Sequence, residues 1–377
     1  MKISRREFVR TSAVVGAAAV LPAPGKAPAV APSRAVVPVV IASANGNQFK
    51  NGGPRTCVHE AWERMAAGDD VLDAILAGVR ILELDPEEDS VGFGGLPNAD
   101  GVVQLDASCM HGPRRRLGAV AALEGVRTPS VVAKAVMDRT DHHLLVGRGA
   151  QEFARQIGLR IEDDLNTEHS RKLWLEWKHR IDPEHWLDPV KRAAAGAAAR
   201  DHMIAEGLIS ADHVYGTVHC GAVSSRGEIG GATTTSGLAW KIAGRVGDSP
   251  IPGAGLWLDG DVGVAGSTGR GEANLYNLSS HAIVERMRQG AHPKDACIEA
   301  LRRVRENTVE ARLRNARGGP NFQLKFYAVG ARGEHAGVAL YEGSDPAKYA
   351  VCDANGPRTV PMDFLLPGEP TDRPVTP

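Results

Sequence analysis

The chain has 377 residues, with 43% hydrophobic and 24% charged side chains, which is a globular composition and excludes a disordered chain or a coiled coil. Lys and Arg number 44 against 45 Asp and Glu, so the net charge of −1 leaves no global electrostatic footprint for nucleic acid. Glycine is the outlier, at 43 residues or about 11%, where ordinary usage is about 7%. From Gly216 to Glu272, 15 of 57 residues are Gly without a G-x-y period, which excludes collagen and a linker. Two uses remain: a site where backbone approaches a ligand, or a run of tight turns.

The N-terminus is basic, Met1-Lys2-Ile3-Ser4-Arg5-Arg6-Glu7-Phe8-Val9-Arg10, followed by an Ala/Val-rich stretch over 11–23. That stretch is shorter than the ~20 apolar residues a membrane-spanning helix needs, and no later segment is apolar enough. The pattern is a signal peptide, and Ser-Arg-Arg-x-Phe resembles the twin-arginine signal, which exports folded proteins. An ordinary secretory signal with a chance Arg pair is the alternative. Residues 1–31 therefore read as signal and linker, with a Pro/Ala/Val-rich extended segment over 24–38. Five of the residues in 1–31 are basic and one is acidic, so removal leaves a mildly acidic mature chain in the periplasm or outside the cell.

The apolar, β-branched run 36–43 predicts a buried strand. Helical spacing follows over 58–68 and 71–84, ending before Pro86, and 102–107 reads as a strand. A helix over 131–139 opens with Pro129, a short strand covers 143–146, and a helix covers 149–157. The polar and aromatic segment 174–186 reads as surface helix and loop, and 190–206 as an Ala-rich helix. Strands over 217–224 and 229–235 pair around Arg226-Gly227, and 262–268 is a small-residue strand. Helices over 272–289 and 294–307 precede strands over 322–329 and 335–340. Clustered strands and paired helices predict an α+β fold, helices packed on antiparallel sheets, in place of a doubly wound parallel sheet.

Five cysteines, Cys57, Cys109, Cys220, Cys297 and Cys352, show no C-x-x-C spacing, which argues against a metal site. An exported protein can form disulfides, but an odd count leaves at least one thiol. Burial as structural cysteine is the expectation for most of them.

Gly216-Thr217 opens a strand, and that pair has a specific chemical use. If the bond before Thr217 is cut, the residue gains an α-amine that can act as general base for its own hydroxyl. Gly216 suits a strained scissile bond because it tolerates backbone geometries that other residues do not. A Gly-Thr pair by itself is ordinary, since Thr is common in strands. Its surroundings are not. They contain Gly231-Ala232-Thr233-Thr234-Thr235-Ser236-Gly237, then Gly244-Arg245-Val246-Gly247-Asp248-Ser249-Pro250-Ile251-x-Gly253-Ala254-Gly255, then Gly266-Ser267-Thr268-Gly269-Arg270-Gly271-Glu272. Upstream stand Ser90-Val91-Gly92-Phe93-Gly94-Gly95-x-Pro97 and Leu105-Asp106-Ala107.

Over about 36–341 these blocks resemble the glycosylasparaginase (aspartylglucosaminidase) family of N-terminal-nucleophile amidohydrolases, relatives of the plant-type asparaginases and isoaspartyl peptidases. The resemblance implies a four-layer αββα sandwich that cuts itself between Gly216 and Thr217. An α subunit (32–216) and a β subunit (217–377) would together form one domain. Thr217 matches the nucleophile and Thr235 the threonine that positions it. Arg245 and Asp248 match the pair holding the aspartyl α-carboxylate and α-amine, where a bidentate Arg does what Lys cannot. Thr268 and Gly269 match the oxyanion donors, and Ser90 falls near the pocket. Read without the family, Arg245 and Asp248 could be a surface ion pair and Thr268-Gly269 a strand end.

Two departures bear on the substrate. The family's His-Asp before the nucleophile is Tyr215-Gly216 in this chain, as in the plant type, while Thr235-Ser236-Gly237 keeps the glycosylasparaginase form. Its N-terminal Trp-x-Phe falls on Ala44-Asn45-Gly46 or Asn47-Gln48-Phe49, without Trp. The expectation is an exported hydrolase of asparagine-derivative side-chain amides acting on a small molecule. It needs no cofactor or metal, contacts no nucleic acid, and by resemblance could pair as a homodimer of αβ units. The alternatives are an asparaginase or isoaspartyl dipeptidase of the same family, and an uncleaved periplasmic binding protein.

Overall fold

The computed structural model describes residues 35–181, 183–210, 216–343 and 345–371. The signal segment, most of the adjoining linker and Tyr215 lie outside the described residues. In chain order the strands are β1 (Val39–Ser43), β2 (Leu105–His111), β3 (Arg116–Leu123), β4 (Leu144–Val146), β5 (Val218–Val223) and β6 (Ile229–Thr235). They continue with β7 (Leu256–Asp259), β8 (Gly263–Gly269), β9 (Leu324–Gly330), β10 (His335–Tyr341), β11 (Lys348–Asp353), β12 (Gly356–Pro361) and β13 (Asp363–Leu366). Two sheets result. One has eight strands in the order β12-β11-β1-β5-β6-β2-β3-β4 and the other five in the order β13-β10-β9-β8-β7. Pairing is antiparallel except for β3 with β4 and β10 with β13, so mixed α/β architecture with mainly antiparallel sheets agrees with the sequence pattern.

Strand alternation sorts the side chains into separate cores. From β1, Val40 and Ala42 join a cluster with residues of the helices Cys57–Ala66, Val71–Leu84 and Pro129–Arg139. Val39 and Ile41, the alternate residues, join a cluster that also contains Leu256, Val264, Tyr327 and Val329 from the second sheet. Phe326 and Ala328 of β9 face a further cluster with Ile283, Val284 and Leu301 of the helices Ser279–Arg288 and Pro293–Asn307. A strand buried on both faces reads as a continuous apolar run, which is why 36–43 is legible as one.

Several expectations are corrected. The segment 174–186 is not simply surface: the helix Glu168–His179 buries Leu173 and Trp177. Trp177 stacks on Trp240 at 5.2 Å and donates its indole N–H to the Gly196 carbonyl at 2.9 Å. The helix expected over 272–289 is two, Gly271–Asn277 and Ser279–Arg288, broken at Leu278 by a left-handed backbone with φ of 47°. Strands β3, β7, β11, β12 and β13 lie outside the expected set; β3 is rich in Ala, and β12 carries Pro at an exposed edge. The cysteines, by contrast, agree with the expectation of burial: all five are buried free thiols.

Candidate active site

Thr217 stands just before β5, and Thr235 is the last residue of the adjacent β6, whose register sets Val218 opposite Thr234. Both threonines are nearly fully buried, and both hydroxyls converge on one atom, the Gly216 carbonyl oxygen. Thr217 Oγ1 lies 2.8 Å from it and Thr235 Oγ1 donates to it at 2.6 Å. Thr235 Oγ1 in turn accepts from the Gly237 N–H at 2.8 Å and lies 3.2 Å from Thr217 Oγ1. A hydroxyl has one proton, and Thr235 commits it to the carbonyl, so Thr217 faces an acceptor already polarised.

Behind this pair the Ser43 hydroxyl accepts the His219 N–H at 3.2 Å and donates to Asn45 Oδ1 at 2.7 Å. Asn45 Nδ2 donates to the buried Glu88 at 3.1 Å. Ser90 is buried one step away: its carbonyl accepts the Ser236 hydroxyl at 3.0 Å, and its own hydroxyl donates to Glu88. His219 shares the Thr217 face of β5, but its Nδ1 contacts Thr233 Oγ1 at 3.0 Å and burial pushes its pKa down to about 3. It is a neutral packing group. A methyl built on Gly266 of β8 would fall 2.0 Å from that imidazole, so only glycine lets the two sheets close on it.

Across a narrow cleft stand the charged residues. Of the residues expected from sequence, Thr217, Thr235, Arg245, Asp248 and Gly269 line it, joined by Gly237, Leu238, Gly247 and Ser249. Asp248 is held from behind: its Oδ2 accepts the Ser267 hydroxyl at 2.6 Å and Asn274 Nδ2 at 2.7 Å. Burial raises the Asp248 carboxyl above its ordinary range, with those donors and the Arg245 charge opposing. Arg245 Nε donates to Glu272 at 2.9 Å. Lys241 is buried, donates to the Gln104 carbonyl at 3.0 Å, and burial lowers its pKa against the nearby Asp106. Gly269 ends β8 with φ of 115°, and a Cβ there would meet the Gln323 carbonyl at 2.4 Å, so glycine is required.

Thr268 adjoins Gly269 at the end of β8. It is not among the cleft-lining residues, and its hydroxyl lies 2.9 Å from the hydroxyl of Tyr327 on the neighbouring β9. Tyr327 is held by the His219 ring, stacked at 5.8 Å. Sequence reasoning missed Tyr327, Asn274, Ser43, Asn45 and Glu88, none of which sits in a glycine-rich block. The cleft therefore offers two hydroxyls on one wall and a cation beside an anion on the other. Such a wall matches a zwitterion, and the hydroxyls stand where a carbonyl can be attacked.

The chain's residues 40–311 match the family model described as asparaginase. A protein of Elizabethkingia miricola named N(4)-(Beta-N-acetylglucosaminyl)-L-asparaginase is 35% identical over 97% of both chains. A mouse protein of the same name is 35% identical over 68% of this chain and 75% of its own. A protein of Arabidopsis thaliana named Probable isoaspartyl peptidase/L-asparaginase 3 is 31% identical over 74% of this chain and 80% of its own. The chain belongs to the asparaginase family. It is a hydrolase of that family, and a twin-arginine translocation signal over residues 2–22 marks it for export to the periplasm or beyond. Among the described residues no helix is long and apolar enough to cross a membrane.

Proposed function

We propose that the protein is a self-cleaving amidohydrolase that hydrolyses the side-chain amide of asparagine derivatives, with Thr217 as nucleophile. The observation that carries this reading is the convergence of the Thr217 and Thr235 hydroxyls on the Gly216 carbonyl, 2.8 and 2.6 Å away. Thr217 Oγ attacks the Gly216 carbonyl carbon, the C–N bond breaks, and Gly216 becomes an ester on Thr217. Water hydrolyses that ester. The products are an α subunit over 32–216, once the leader 1–31 is removed, and a β subunit over 217–377 that begins with a free α-amine.

In turnover that amine takes the Thr217 hydroxyl proton, and Oγ attacks the substrate's amide carbonyl. Arg245 holds the α-carboxylate and Asp248 the α-amine. The Thr268 hydroxyl and Gly269 N–H stabilise the oxyanion, with Tyr327 donating to Thr268 so that the Thr268 proton is free to point at the substrate. The amine leaving group departs with a proton, and water releases aspartate. The proposed framework is a four-layer αββα sandwich. Support comes from three apolar clusters: one between the eight-stranded sheet and helices, one shared by the two sheets, and one between the five-stranded sheet and helices. We further propose a homodimer of αβ units, carried only by the family.

Glycosylasparagine is the proposed substrate class, on the likeness to the N(4)-(Beta-N-acetylglucosaminyl)-L-asparaginase of E. miricola along nearly the whole chain. Assay of the purified protein with glycosylasparagine, L-asparagine and an isoaspartyl dipeptide tests it. Highest kcat/KM on glycosylasparagine is expected, and hydrolysis of none of the three would contradict the reading.

A further inference from the structure

Arg245 is engaged by a carboxylate that belongs to the protein. Glu272 Oε1 accepts from Arg245 Nε at 2.9 Å and lies 2.9 Å from its Nη2. One oxygen thus occupies the side edge of the guanidinium. The other atom, Nη1, lies on the cleft side: methyls built on Gly237 and Gly247, two cleft-lining residues, would fall 3.3 and 2.9 Å from it. The second Glu272 oxygen, Oε2, sits 3.2 Å from Arg270 Nε, in ion-pair contact though not aligned as a hydrogen bond.

We infer that Glu272 is a positioning residue that fixes which edge of Arg245 meets the substrate. On the proposed role of Arg245, on which this inference rests, the Nε/Nη2 edge is taken by Glu272. The ligand's α-carboxylate is then received by the end of the fork, through Nη1 and the remaining Nη2 proton.

Three physical points favour a set geometry over a chance surface contact. The Glu272 side chain is 38% exposed, and an isolated pair at that exposure contributes little. It contacts two guanidinium groups, however, one at each carboxylate oxygen, and both favour the same placement of the carboxylate. Burial raises the Glu272 carboxyl, but the Arg245 and Arg270 charges outweigh it and hold the group ionised, below its ordinary range. Arg245 itself has four side-chain torsions, and among the described residues its guanidinium hydrogen-bonds to Glu272. Without that carboxylate the guanidinium would sample rotamers, and the entropy of ordering it would fall on substrate binding. The effect belongs in ground-state recognition of the carboxylate, not in the attack at the amide.

The test compares Glu272→Gln, Glu272→Asp and Arg245→Ala on L-asparagine and on 3-aminopropanamide, which is L-asparagine without its α-carboxyl group. Denaturing electrophoresis of each variant reports cleavage into two fragments as the check on folding. For Glu272→Gln we expect KM for L-asparagine to rise about tenfold with kcat within about twofold, the size of one charge-assisted hydrogen bond. Its kcat/KM on 3-aminopropanamide should match that of the parent, and Glu272→Asp should recover most of the KM. A loss carried by kcat, or an equal loss on both substrates, overturns the positioning role. If Arg245→Ala leaves the preference for L-asparagine over 3-aminopropanamide unchanged, the underlying role of Arg245 fails instead, and the inference falls with it.

Discussion

The two walls of the cleft are built on opposite principles. The wall from the eight-stranded sheet is neutral, close-packed and short-range: Thr217, just before β5, and Thr235, at the end of β6, touch the same carbonyl oxygen. The wall from the loop 244–255 and β8 is charged, and each charge needs an outside support, Glu272 for Arg245, Ser267 and Asn274 for Asp248. The hydroxyl wall is set mainly by the register of β5 and β6 and by the Gly237 N–H, whereas the charged wall depends on a network that reaches into the helix Gly271–Asn277. Chemistry and recognition are therefore separable by mutation.

The largest separation is expected at Thr217. Thr217→Ala should remain a single chain with activity down by about a thousandfold or more, the usual cost of deleting a covalent nucleophile. Electrophoresis and a product assay check both. Asp248→Ala should show the opposite pattern: normal cleavage, with kcat/KM on L-asparagine down about a hundredfold through loss of the α-amine contact. The Ser267 hydroxyl would also lose its acceptor, while Asn274 Nδ2 keeps the Ala254 carbonyl and the Ser267 hydroxyl, so a cost of about 1–3 kcal/mol in stability is expected by denaturant titration.

Tyr327→Phe removes only the hydroxyl beside Thr268. Turnover is expected to slow about tenfold at unchanged KM, since the Thr268 donor that Tyr327 orients acts in the transition state. Equal kcat in Tyr327→Phe and the parent would remove Tyr327 from the site.

The smallest effect lies away from the cleft, at Glu83 beneath β6. Burial raises its carboxyl from 4.5 to about 7, against donors from Ser130 and Thr234. Because the folded value is the higher one, the folded state favours the protonated group. Its stabilisation is complete below the unfolded value and lost as pH rises through about 7. The thermal midpoint should fall across that window in the parent, and less so in Glu83→Gln.

The neutral wall and the charged wall were also unequally legible in sequence. Arg245, Asp248 and Gly269 fall in long glycine-rich blocks whose spacing is specific, and the cleft brings them together. Thr217 became legible only with those blocks, because Gly-Thr before a strand is ordinary. Glu272 was quoted within its block but its contact with Arg245 was not foreseen, being 27 residues apart. Tyr327 is 59 residues from Thr268 and lies in an apolar strand where a core tyrosine is the default reading. The missed strands β3 and β11–β13 show the same limit, since edge and Ala-rich strands draw their stability from pairing partners, not from their own side chains.

The central claim is that the chain is cut once, between Gly216 and Thr217. Denaturing electrophoresis of the purified protein, with N-terminal sequencing of the fragments, tests it directly. Two bands are expected, one of them beginning Thr-Val-His-Cys. A single band spanning both segments, in an active preparation, would contradict the account.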